Sequence, residues 1–550
     1  MTTLKKSLKD LLKGRVHERP ATLARYSHDA SLFEITPELV VQPRDIEDLR
    51  WLVSFVGDNK KDRPTLSLTA RSGGTDMSGG AINDSIIVDF KNFHHLGRVQ
   101  GEHIWSQPGV YYRHFEKRTK TKKMIMPSYP ASREICKIGG MVANNAGGEK
   151  TLTYGKVEDY VTRLRVVCSN GEDYIFEPLN QVELKKKLAL KSFEGEIYRQ
   201  MYELVTKNNT LIKASKPNVH KNSTGYNLWD VWDGKTFDLT KLFVGSQGTL
   251  GLVANVQFRL VPVRPYSGLL VVFMPSLDRL ADIITTILKS NPTSLESFDD
   301  HTMDLAMRFF PSFLKTLGLV GFVKLGISLV PDVFLMLKGL PKLIVLAEFE
   351  GDSQAEVTEK INALHESLQK FDLPIERAET AAKSRKYWIM RRESFNLLRH
   401  NVKSRHTAPF IDDFVVPPKH LPEFLPRLRK ILDKYELLYT IAGHIGEGNF
   451  HIIPLMKLEY EEDRKKIEPC MREVNKLVLH YEGSLSGEHN DGLVRGPFLE
   501  QMYSPAMMKL FRQTKTIFDP KNIFNPHKKT DATWDYSSQH MRADFREGAK

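Results

Sequence analysis

The chain has 550 residues, 41% hydrophobic and 27% charged, a globular balance that excludes wholesale disorder and fibrous repeats and leaves room for about two to four domains. Its three cysteines, Cys136, Cys168 and Cys470, are too few and too scattered for a disulfide framework, a four-thiolate zinc site or a cysteine-held iron–sulfur cluster, and point to a reducing compartment. Lysine and arginine number 79 against 67 acids, a formal charge of +12. With no zinc-finger spacing, no RNP-like motif and no long basic run, that excess suits anionic substrates or a membrane surface, and nucleic acid is not expected.

The first residues, MTTLKKSLKDLLKGR, lack the apolar core of a secretory signal. Leu4, Leu8, Leu11 and Leu12 recur at helical spacing, which leaves two readings: a helix docked on its own domain, or a basic helix lying on a membrane. The expected location is the cytoplasm, with peripheral contact at the cytoplasmic face of the inner membrane as the extension of the second reading. After this leader (1–36) Asp45 is placed to cap a helix through Leu49, Leu52 and Val53. From 37 to 265 short β-rich runs such as SIIVDF and VTRLRVV alternate with glycine loops, which predicts an α+β binding domain. From 266 to 526 the order GLLVVFMP, DRLADIITTILKS, KLIVLAEFEG, AEVTEKINALHESLQKF predicts a second α+β domain, followed by a polar tail (527–550). Inside it, the apolar segment at 309–343 is interrupted by Lys315, Lys324 and Lys338. It contains no charge-free run long enough to span a bilayer, and reads as a buried cap or an interfacial element.

Three glycine loops stand out. Arg71-Ser-Gly-Gly-Thr-Asp-Met-Ser-Gly-Gly80 follows a strand-like run, and its backbone N–H groups and hydroxyls suit a diphosphate. It is neither GxGxxG nor a Walker loop, so the Rossmann fingerprint and the P-loop both fail. The second loop is IGGMVANNAGG (138–148) and the third is GSQGTLG (245–251).

In this order, RSGGTDMSGG, PSYPASREICKIGGMVANNAGG with YGKVEDYV, and LFVGSQGTLG, the loops resemble the vanillyl-alcohol-oxidase/PCMH type of FAD-binding domain. The resemblance implies a two-subdomain FAD fold. Arg71, Ser72, Gly73, Gly74, Thr75, Asp76 and Ser78 would wrap the pyrophosphate. Pro127, Ser128, Gly139, Gly140, Asn144 and Gly147 would line the second loop, with Gly248 through Val253 on the far side. Members with a covalently linked flavin carry histidine where this chain has Thr75, so a non-covalent FAD is implied.

The second half carries GHIGEGNFH (443–451) and SGEH (486–489). His444 and His451 differ by an odd number, which on an unbroken strand would separate them, but the Gly446–Gly448 turn can bring them together. Two histidines and a carboxylate are a ligand set for zinc, manganese or iron(II); the alternative is ordinary loop histidines bonded to backbone. With IFDPKNIFNP, these motifs resemble the C-terminal substrate domain of FAD-linked D-2-hydroxyacid dehydrogenases, the group of D-lactate dehydrogenases, glycolate oxidase flavoprotein subunits and D-2-hydroxyglutarate dehydrogenases. The resemblance implies a divalent metal, zinc or manganese, on His444, His451 and Glu488. It implies His489 as general base, Asn449 as a substrate contact and Arg392 as the carboxylate-binding arginine. Asn490 stands where the family motif has glycine.

The chemistry so implied is transfer of the C2 hydride of a 2-hydroxy acid to flavin N5, with electrons passing on to a quinone, a cytochrome or a separate iron–sulfur subunit. Relatives acting on a dicarboxylic hydroxy acid carry a cation where this chain has Phe410-Ile411 ahead of Asp412-Asp413, so the resemblance implies an uncharged substrate side chain such as that of D-lactate, with Lys403 and Arg405 as cations that could reach in. The competing readings are an oxygen-using oxidase and a flavin scaffold without catalysis.

Overall fold

The computed structural model describes residues 4–300, 302, 341–381, 383–391 and 405–543. Most of the apolar segment at 309–343, together with Arg392 and Lys403, lies outside them.

Strands β1 (Arg15–His17), β2 (Leu39–Gln42), β3 (Leu68–Arg71) and β4 (Ile86–Asp89) form a sheet in the order β1-β2-β4-β3, parallel except at its β1 edge. Ile46–Asn59 is the helix that Asp45 caps, accepting from the Asp48 amide at 3.1 Å. The leader helix Leu4–Leu11 lays Leu8 and Leu12 into this subdomain's core beside Leu49, Leu52 and Val56. Its apolar face is therefore occupied by its own domain.

The chain continues through β5 (His103–Ser106), β6 (Met124–Ile125), β7 (Val161–Val167), β8 (Asp173–Phe176), β9 (Leu252–Arg259) and β10 (Val261–Pro262). An antiparallel sheet runs β5-β9-β7-β8, with β6 and β10 paired as a short ribbon. Burial alternates residue by residue along β9, the pattern of a strand with one face in the core.

The second half is built on seven antiparallel strands. These are β11 (Tyr266–Met274), β12 (Ser294–Asp299), β13 (Leu343–Gly351), β14 (Ile375–Ala378), β16 (Phe414–Val415), β17 (Ile441–His444) and β18 (Asn449–Ile452), in the order β14-β11-β13-β12-β17-β18-β16. A small ribbon joins β15 (His406–Thr407) to β19 (Leu455–Met456). Leu270, Val272 and Met274 point toward the helices Leu280–Leu288 and Gln354–Leu368, while Leu269, Val271 and Phe273 pack with Tyr387 and Met390. Both sheet faces are covered, which is why β11 and β13 read as continuous apolar runs rather than alternating ones.

The last part of the chain returns to the first half. In the helix Pro505–Phe518, Met507, Met508, Phe511 and Phe518 join the core of the β5-β9-β7-β8 subdomain. Asn525 then donates to the Gly80 and Gln247 carbonyls at 2.8 and 2.7 Å. These bonds fasten the end of the second domain beneath two of the glycine loops.

Candidate functional site

The parallel strand β3 ends in the first glycine loop, and the other two loops close over it to wall a cavity of about 1520 Å³ that opens onto the second half. Arg71, Ser72, Gly73, Gly74, Thr75, Asp76, Gly139, Gly140, Asn144, Gly248 and Val253 all line it. Ser78, Pro127, Ser128 and Gly147 lie behind the wall. Ser72 Oγ donates to the Pro108 carbonyl at 2.6 Å, and a Cβ on Gly139 would sit 2.6 Å from Pro108 Cβ, so glycine is what lets the loops meet.

Asp76 turns its charge into the loop. Its Oδ2 accepts from the Ser78 and Gly80 amides at 3.1 and 2.6 Å, and its Oδ1 from Asn144 Nδ2 at 2.6 Å. An acid beside a diphosphate loop is thus explained as a buttress. Gln247, which the sequence reading passed over, ties the loops together: Nε2 donates to Ser78 Oγ (2.8 Å) and Asn144 Oδ1 (3.3 Å), and Oε1 accepts from the Gly492 amide. Exposed glycine backbone, hydroxyls and a cavity of this size fit an FAD.

Across the cavity, β17 and β18 form a hairpin in which Ala442 pairs with His451 and His444 with Asn449. His444 is two residues from Ala442, so both imidazoles share a face, their ring centres 5.2 Å apart. The turn thus overrides the odd spacing. Glu488 Oε1 lies 3.3 Å from Nε2 of His444, 3.3 Å from Nε2 of His451 and 4.0 Å from Nε2 of His489. The other ring nitrogens are anchored by carboxylates: His444 Nδ1 on Glu296 at 2.5 Å, His451 Nδ1 and His489 Nδ1 on Asp412 at 3.0 and 2.6 Å. Carboxylates on Nδ1 turn each Nε2 toward Glu488, the kind of anchoring that orients metal-binding imidazoles.

Asp413, His451, Glu488 and His489 offer donor atoms within 4.8 Å of one another. The oxygens of Asp413 are already engaged, however. They accept from Asn449 Nδ2 (3.1 Å), Ser486 Oγ (2.6 Å) and the Glu488 and His489 amides (3.0 and 2.7 Å). With Asp413 spent, His451, Glu488 and His489 remain of that group as donors a divalent cation could use, and His444 Nε2 also lies 3.3 Å from Glu488 Oε1. Asn449 Nδ2 is spent on Asp413 and the Phe414 carbonyl, and Asn449 is fully buried outside the cavity wall. As placed, it supports the Asp413 turn.

The electrostatics follow from burial and charge. Desolvation alone would raise the Glu488 carboxyl, but the Lys221 ammonium and the His444 and His451 imidazoles hold it well below its usual range. Burial works against a charged imidazole at His451 and His489, yet Asp412 outweighs it. His451 is pushed up to about 10, and His489 is also raised, with Asp413 contributing.

Four groups escaped the sequence reading. Asp412 and Glu296 sit in apolar runs, DDFVV and LESF, where a buried acid is itself a signal. Lys221, wholly buried, lies 2.9 Å from Glu447 Oε2 and 3.4 Å from Glu488 Oε2. Arg391 lines the cavity and pairs with the Glu296 carboxylate, whereas its neighbour Arg392 lies outside the described residues. Asn490 adopts φ +70°, a conformation that glycine takes freely and asparagine tolerates.

Comparison with known proteins agrees with this geometry. Residues 37–174 match the FAD binding domain model, and residues 265–529 match the model for FAD linked oxidases, C-terminal domain. The chain is 28% identical to a D-2-hydroxyglutarate dehydrogenase of Pseudomonas putida, over 94% of this chain but 50% of that protein. It spans about half the length of the first curated relatives it matches. With a D-lactate dehydrogenase of Archaeoglobus fulgidus it shares 26% identity over 91% of this chain and 95% of that one. The solved structure of p-cresol methylhydroxylase superposes with a TM-score of 0.66 at 15% identity, covering 96% of both chains, and shares the fold.

Proposed function

This chain belongs to the FAD linked oxidases, and from that premise we propose that it oxidises a D-2-hydroxy acid to the 2-oxo acid in the cavity between its halves. The observation that carries this reading is the convergence of three carboxylate-anchored imidazoles on Glu488, in the wall of the cavity whose far side is the glycine-loop cradle. FAD bound there supplies the hydride acceptor. A divalent cation on His444, His451 and Glu488, zinc or manganese, supplies charge for the carboxylate and hydroxyl oxygens of the substrate.

This chain's own residues do the rest. Asp412 fixes the Nδ1–H of His489, so the Nε2 face takes the hydroxyl proton as the C2–H bond breaks. The substrate carboxylate would be met by Arg391, which lines the cavity beside the histidines, or by its neighbour Arg392. Glu296 holds Arg391 and His444 together, so carboxylate recognition and the cation site share one anchor. Electrons would then leave to a quinone, a cytochrome or a separate iron–sulfur subunit.

For the substrate side chain, the D-lactate reading rested on Phe410 and Ile411, which are buried in the core of the second half. A second reading, an acid with a further carboxylate, is favoured by Arg405, which lines the same cavity. One panel tests all of this: D- and L-2-hydroxy acids, D-lactate and D-2-hydroxyglutarate among them, with a dye acceptor, anaerobically, with and without chelator. Turnover of D-acids by a yellow protein, reduced by the chelator, is expected. A colourless preparation without flavin would sink the proposal. Turnover only with oxygen would replace the dehydrogenase by an oxidase.

A further inference from the structure

On the FAD-binding half a second hollow, a cleft of about 1040 Å³, lies behind the first glycine loop. It shares Arg25, Arg71, Ser72 and Gly73 with the large cavity, but reaches none of the residues of the second half. The bond from Ser72 Oγ to the Pro108 carbonyl, together with the Gly139 amide on that same carbonyl at 2.9 Å, closes the wall between the two.

The lining of the cleft is one-sided. Arg25, Arg71, Lys91, Lys117, Arg118 and Lys137 face it, with the imidazoles of His94 and His114. Its one acid is Asp89, whose oxygens are already taken: Oδ2 accepts from Tyr26 Oη (2.7 Å) and Gln42 Nε2 (2.9 Å), and Oδ1 from the Lys91 amide (3.0 Å). Among the described residues none of the six cations makes an ion pair with a carboxylate. Arg71 donates to backbone carbonyls, for example that of His28 at 2.8 Å, and Arg118 reaches the Gly97 carbonyl at 3.5 Å.

Lys137 is the informative one. It is 8% exposed, and its ammonium has for a partner the face of Tyr111, 5.0 Å from the ring centre. Its stem is packed into the wall while its ammonium is presented to the cleft, with no carboxylate paired to it among the described residues. A concave site that gathers six cations, none of them ion-paired to a carboxylate, focuses a field that draws anions.

We propose that this cleft is a binding site for a phosphate-bearing anion, separate from the flavin cavity. It accounts for part of the +12 charge of the chain, which the oxidation chemistry leaves unused. Phosphate suits it because several lysine and arginine donors can converge on its oxygens at once. The same chemistry is offered by a soluble polyphosphate and by an anionic lipid headgroup.

The test uses the FAD-loaded protein. Tripolyphosphate is titrated calorimetrically at low and high salt, and vesicles of roughly one-quarter phosphatidylglycerol in phosphatidylcholine are used in a sedimentation assay. Lys137→Met and, on the exposed face of the helix Tyr112–Lys120, Lys117→Glu are each expected to weaken binding about tenfold or more at unchanged flavin content. Saturable tripolyphosphate binding lost in both variants supports the site with a soluble ligand. Vesicle binding lost in both variants, without tripolyphosphate binding, supports it with a headgroup. Three results would overturn it: no binding of either probe, binding unaltered in both variants, or binding confined to flavin-free protein, which would place the anion at the glycine loop instead.

Discussion

Asp412 serves two imidazoles at once, one oxygen on His451 and the other on His489, and so couples the proposed cation site to the proposed proton acceptor. His489 is the group whose loss separates binding from chemistry. His489→Ala is expected to lower kcat by about two to four orders of magnitude while the flavin spectrum and thermal stability stay near wild type. Retained turnover would remove His489 from the base role. At this scale the sequence was legible where motifs carried the residue, as for His444, His451, Glu488 and His489. It was silent where a role depends on which side chain an acid meets across the fold. Asp412 and Glu296 are 116 positions apart in a chain whose topology alone brings both against the histidines. The arginine shows the limit of spacing. Arg391 and Arg392 are adjacent, and it is the helical phase of 383–391 that turns Arg391 to Glu296.

At the scale of elements, the β17–β18 hairpin shows why periodicity misleads across a turn: register, set by the 445–448 turn, decides which side chains share a face. Strand and helix runs such as Ile86–Asp89 and Gln354–Leu368 were readable, because apolar spacing reports a face. What that face packs against is not in the spacing. The central strand β13 carries a further consequence. Burial pushes Glu348 up to about 7 from the usual 4.5, opposed by Lys150 and assisted by Glu350. Ser294 Oγ donates to it at 3.2 Å. A carboxyl raised on folding contributes stability below its unfolded value, and that contribution is lost as pH rises through the folded one. Glu348→Gln keeps the shape and stays neutral. It is expected to match wild type near pH 4.5 and to melt several degrees higher at pH 8, a gain of at most about 3 kcal/mol. Equal melting curves at both pH values would show that Glu348 is not held in its neutral form.

On the scale of the whole molecule, the candidate site exists because two halves meet, and Lys221 is the charge at their junction. It comes from the FAD-binding half, yet its Nζ lies between Glu447 and Glu488 of the other half, fully enclosed. Gly147, also of the first half, sits so close that a Cβ there would be 2.7 Å from Glu488 Oε2. The tail start is drawn in as well, Lys529 donating to Asn490 Oδ1 and Asp491 Oδ2 at 2.6 and 2.8 Å. None of these encounters could be read from the chain, since each joins residues tens to hundreds of positions apart. Removing the Lys221 charge strips from two buried carboxylates the ammonium they share, leaving Glu488 to its imidazoles and Glu447 to the half-exposed His220. Lys221→Met is therefore expected to cost about 3–5 kcal/mol and to weaken cation retention, read by metal analysis after dialysis, while Lys221→Met with Glu447→Gln recovers part of the stability because one buried carboxylate charge is gone. A double variant no more stable than the single would show that Lys221 acts through packing rather than through its charge.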